Sequence, residues 1–150
     1  MQRHSCRPMM RAVALIAFSA VLQAETFKDV EYMYKPAGKV KGERVGGALD
    51  FDAASTKVMF ESKQVALDIP AASITNLVYE RAAQPRYTTG LLLAWPLLFT
   101  KSKKHYLTIQ YTDNGLGKYA VSKLDKGNFR EILAAAEATT GKKVERSEEK

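Results

Sequence analysis

The sequence predicts a mainly β domain of six to seven antiparallel strands followed by one C-terminal amphipathic helix. Three observations carry that class. Apolar residues recur at every second position from Phe27 onward, HYLTIQYTDNGLGKYAVSKL reads as a tight hairpin, and after Asp125 the apolar period lengthens to the helical value. With 150 residues, 46% hydrophobic and 26% charged, the chain has the composition of one globular domain with a core and not of a disordered chain.

The first two dozen residues stand apart. MQRHSCRPMMR holds Arg3, Arg7 and Arg11 and no acid, AVALIAFSAVL is a run of small and aliphatic residues, and VLQA ends on a small residue before ETFKD. This is the layout of a secretory signal peptide over residues 1–24, with cleavage expected after Ala24. A membrane span needs about 20 apolar residues, and this run has roughly half that. Loss of the three arginines lowers the formal charge from +7 to +4, which leaves a mildly basic, exported domain, periplasmic or secreted. Outside KSKKHY no basic run is interleaved with aromatics, so nucleic acid is not expected as a partner. Cys6 lies upstream of the apolar run, where it cannot carry a lipoprotein lipid. The mature chain then has no disulfide, no thiolate metal site and no cysteine nucleophile.

The elements follow in order. FKDVEYMYKP alternates with Val30, Tyr32 and Tyr34 on one face and closes at Pro36 to Gly38. After a polar, glycine-rich interval, AGKVKGERVGG, the stretch ALDFD puts Leu49 and Phe51 on one side, and DAAST turns the chain. KVMFES, with Val58 and Phe60, and QVALDIP, with Val65, Leu67 and Ile69, are separated only by polar residues and predict a hairpin. Pro70 ends that strand, and ITNLVYER supplies another with Ile74, Val78 and Tyr79. In HYLTIQY, Leu107, Ile109 and Tyr111 alternate with Thr108 and Gln110, and Asp113, Asn114 and Gly115 supply the turn. Asp125 is the expected N-cap of the helix, Phe129, Ile132, Leu133 and Ala136 form its apolar face, Arg130, Glu131 and Glu137 its polar one, and Gly141 its stop. The domain is expected over 25–141, with KKVERSEEK in a charged, fraying tail over 142–150.

GGALDFD, KVMFES, LDIPAASITNLVYE, the later L-x-I-x-Y hairpin and the closing helix resemble the pleckstrin-homology-like (PH-like) superfold, in its GRAM-like and small bacterial branches, over about Gly46–Gly141. The resemblance implies an open barrel of six to seven antiparallel strands closed at one end by the helix. It implies little about ligands, because this superfold hosts lipid binding, peptide binding and structural roles. In its lipid-binding members the basic pocket lies between the first two strands, an interval that here holds Lys39, Lys41 and Arg44.

Catalytic signatures are missing from the sequence. No GxSxG, HExxH, P-loop or dinucleotide fingerprint occurs, and no cofactor is expected. After processing, His105 is the one histidine; beside Lys103 and Lys104 its protonation is disfavoured, and the expectation is a surface strand residue. Asp50 and Asp52, two apart on one strand face, make at most a weak cation pair, and Asp68 stands alone. A binding protein is expected, not an enzyme.

One segment remains. GLLLAWPLLF, residues 90–99, runs between two strands directly into TKSKKH. It is too short to span a membrane and contains Pro96. Three readings stand: leucines covering an open end of the barrel, an exposed patch pairing with a protein partner or a second copy, or an interfacial anchor with lysines on anionic headgroups. The candidate contact residues are Leu91, Leu92, Leu93, Trp95, Leu97, Leu98 and Phe99, with Lys101, Lys103 and Lys104 as the basic flank. The expectation is an envelope module engaging a membrane surface or a protein; the alternative is a structural protein whose apolar segment is a homo-oligomer interface or barrel cover.

Overall fold

The computed structural model describes residues 24–34, 37, 42–83 and 102–148. In chain order these form β1 (Ala24–Tyr34), β2 (Glu43–Asp52), β3 (Lys57–Glu61), β4 (Ala66–Pro70), a 3₁₀ turn (Ala71–Ser73), β5 (Ile74–Ala82), β6 (Lys104–Asp113), β7 (Leu116–Leu124), α1 (Phe129–Thr140) and β8 (Val144–Glu148). In space the strands run β4-β3-β2-β1-β7-β6-β5-β8. Every neighbouring pair is antiparallel except β5 and β8, which are parallel. The sheet curls without closing, and α1 packs into it, which makes an open β-sandwich with a C-terminal helix.

Three local expectations change. There are eight strands among the described residues, because Val144–Glu148, expected to fray, lies beside β5 with Leu77 opposite Val144 and Tyr79 opposite Arg146. Val144 is buried and its N–H bonds the Glu137 carboxylate, so one apolar anchor after the helix is enough to seat the charged strand. β2 starts at Glu43, inside the glycine-rich interval. A Cβ at Gly47 would collide with the Glu61 carbonyl and the Phe60 ring, so glycine is what lets β2 and β3 approach there. The helix begins at Phe129, with Asn128 at its cap position, while the Asp125 carboxylate accepts from the Gly127 N–H in the preceding turn.

The turns obey their residue chemistry. Asn114 and Gly115 both take positive φ, 51° and 77°, and join β6 to β7 with Asp113 opposite Leu116, as a two-residue hairpin requires. Asp52 accepts from the N–H groups of Ala54 and Ser55 and from the Ser55 hydroxyl, bonds that hold its carboxyl below the usual range. Gly141, at φ 68°, ends α1 with its N–H on the Glu137 carbonyl. In β1 the register shifts between Phe27 and Val30, with Asp29 at φ 62°. That bulge bends the strand so that Glu31–Met33 pairs with β7 on one side while β2 follows on the other.

The core lies between the curled sheet and α1. Phe51, Phe60, Ile69, Ile74, Leu77, Leu107, Ile109 and Ile132 are almost wholly buried in one cluster. Burial in it pushes the Tyr32 phenol up to about 12, with Tyr111 nearby as a smaller cause. Met33, Tyr106 and Val121 alternate with core residues and form a second, smaller cluster.

Candidate functional site

At the ends of β5 and β6 the core face of the sheet runs out past the first turn of α1. Arg81 is the register partner of His105, and Ala82 of Lys104, the last rung before the chain leaves the strand pair. Alternation puts Tyr79 and Arg81 on the same face of β5, and Arg146 of β8, opposite Tyr79, shares it. Here the core gives way to a cleft. Two adjoining lobes, of about 360 Å³ and 390 Å³, share Arg81, His105, Phe129 and Arg130 as walls. Arg146 borders the first, and Lys126 and Glu131 border the second. Each lobe is within the range of about 300–1,000 Å³ typical of small-ligand sites.

Three stacked rings make the floor. His105 and Phe129 lie nearly parallel with centroids 4.1 Å apart, and Tyr79 stacks on Phe129 at 5.7 Å. The Tyr79 hydroxyl lies 2.6 Å from His105 Nδ1. In the neutral tautomer whose Nδ1 accepts from that hydroxyl, Nε2 carries the remaining proton as a donor. Arg130 Cζ sits 5.6 Å from the Phe129 centroid, a cation–π contact that holds the guanidinium at the cleft. Burial, then the charges of Arg81 and Lys126, lowers the His105 pKa, with Asp125 opposing. Among the residues whose side chains are described, no carboxylate forms an ion pair with Arg81, Arg130 or Arg146; Glu148, at the end of β8, is the register partner of Arg81.

A larger groove of about 750 Å³ opens where β1 parts from β7, lined by Lys28, Asp29, Glu31, Lys123 and Asp125. Its charges are mixed, and Lys123 is bonded to Glu31 at 2.7 Å. Glu31 also meets Arg44 at 3.6 Å. Arg44 is therefore engaged, and Lys39 and Lys41, the other cations of the interval between the first two strands, lie outside the described residues.

So do Leu91, Leu92, Leu93, Trp95, Leu97, Leu98, Phe99 and Lys101. The described part of the flank begins at Ser102; Lys103 is exposed, and Lys104 is half-buried as the first residue of β6. His105 is corrected from a surface residue to a half-buried member of an aromatic stack. The signal was present in the alternation of HYLTIQY, which puts His105 in the same row as Leu107 and Ile109. Asp52 is taken up by its turn, and Asp68 bonds Lys57 at 2.9 Å.

No family model matches the chain, and no curated protein does. Among the solved structures similar to it are two of low sequence identity. One, of the Spt16D Pob3N heterodimer, gives a TM-score of 0.52 at 9% identity over 85% of this chain and 56% of that one, so this chain spans little more than half its length. The other, the hSac2 domain from human phosphoinositide phosphatase Sac2, gives 0.50 at 11% identity over 85% and 78%. The fold is PH-like. At these identities the likeness is one of fold.

Proposed function

We propose that this PH-like domain, of the GRAM-like or small bacterial kind, is an exported, non-catalytic binding module that docks on an anionic membrane surface. One observation carries the reading. The strand pair from which the apolar segment 91–99 departs, and to which it returns, also carries Arg81, Lys104 and His105, with Arg130 and Arg146 beside them. Apolar side chains next to a cationic rim are what an interfacial anchor combines, with acyl contact on one side and headgroup charge on the other.

The test uses purified protein and vesicles. Binding to vesicles containing an anionic lipid, weakened by salt and accompanied by a blue shift of Trp95, the single tryptophan, is the expected result. Absence of binding at low salt overturns the reading. Concentration-dependent dimerisation without vesicle binding would transfer the apolar segment to the homo-oligomer alternative.

A further inference from the structure

The geometry points to a specific ligand for the cationic end: we propose that the cleft between β5, β6, α1 and β8 binds a tetrahedral dianion of the phosphate monoester class. This deepens the membrane reading and rests on it only for the lipid as source of the phosphate. Three guanidinium groups, those of Arg81, Arg130 and Arg146, border one cleft, and among the residues whose side chains are described no carboxylate is ion-paired with them. A single carboxylate satisfies one such fork, whereas a phosphate monoester offers three strong acceptor oxygens and close to two charges. A diester, with two free oxygens and one charge, leaves a guanidinium over. In the tautomer whose Nδ1 accepts from the Tyr79 hydroxyl, and in the imidazolium, His105 Nε2–H adds a donor from the floor.

The floor also makes the site pH-sensitive. Facing His105 are Tyr79 and Arg81 of β5, Asp125 and Lys126 of the turn, Arg130 and Glu131 of α1, and Arg146 of β8. Cations outnumber acids in this set, so the empty cleft favours the neutral ring, and a bound dianion favours the imidazolium. Linkage requires the reverse as well: the dianion binds more tightly once the ring is protonated.

The experiment follows His105 ring resonances and binding isotherms of the purified protein at constant ionic strength. Inorganic phosphate and glycerol 3-phosphate are expected to bind, to raise the His105 pKa, and to lose about tenfold in affinity in R130Q and in R146Q, each of which alters an exposed side chain. Sulfate, which stays a dianion throughout, is expected to bind more tightly as pH falls from about 7.5 to about 5.5. Phosphate acting no differently from chloride, or unchanged affinity in both variants, overturns the proposal. Vesicles separate the sources. A preference for phosphatidate over phosphatidylglycerol supports the lipid phosphate. Phosphate binding without vesicle binding supports the cleft and fails the membrane reading. Equal binding of both vesicles without phosphate binding keeps the membrane reading and overturns the cleft.

Discussion

Two cationic regions of the molecule use the same side chains to opposite ends. Where β1, β2 and β7 meet, Arg44 and Lys123 both reach Glu31, at 3.6 Å and 2.7 Å, and their charge is spent holding neighbouring strands. At the ends of β5 and β6, Arg81, Arg130 and Arg146 face aromatic rings and a cleft instead. The difference teaches that a count of cations says little about anion binding. What decides is whether a carboxylate comes within bonding distance of the cation, as Glu31 does for Arg44 and Lys123. In the interval between the first two strands, where the PH-like resemblance implies a basic pocket, Arg44 is engaged by Glu31.

The comparison breaks hardest at Phe129. This ring stacks on His105 at 4.1 Å and on Tyr79 at 5.7 Å and carries Arg130, so F129A removes the cleft floor together with half-buried apolar area. The expected cost is about 2–3 kcal/mol in urea unfolding, with phosphate affinity falling as well. A wild-type midpoint would show that the stack does not organise this end. E31Q tests the other region. It should cost about 0.5–1 kcal/mol, since both of its pairs are partly exposed, and it should free Arg44 and Lys123 so that anionic-vesicle affinity rises severalfold at low salt. Unchanged vesicle binding would place those cations away from the membrane-facing side.

The smallest effect is on stability against pH. His105 has its pKa lowered in the folded state from the ordinary 6.5, so the folded protein binds fewer protons than the unfolded chain just below that value. The contribution is fully present above pH 6.5 and is lost as pH falls through the lowered value. Thermal midpoints between pH 7.5 and 5 should decline gently in the wild type, with the histidine component absent in H105Q. Added sulfate should offset the decline, because the dianion favours the protonated ring.

Much of the fold was legible because local chemistry and tertiary outcome agree. Alternation through HYLTIQY, the Asn114–Gly115 turn, the β3–β4 hairpin and the apolar face around Ile132 each follow from side-chain periodicity or from tolerance of positive φ. Where one buried residue decides an element, pattern is too short to speak. β8 rests largely on Val144 in a charged run, and the first half of β2 rests on Gly47, whose close contacts come from β3.

The site divides along the same line. By itself the sequence determined a mainly β chain with one terminal helix, an apolar Trp95 segment joined to lysines, and a row that includes His105. Only the tertiary structure brought Arg81, Arg130 and Arg146 together, because they come from β5, α1 and β8, separated by long stretches of chain and adjacent only after β8 pairs with β5. The availability of those charges was likewise decided in three dimensions. A salt bridge such as Glu31 with Lys123 forms between residues 92 positions apart, and no local pattern announces which cations will find a carboxylate.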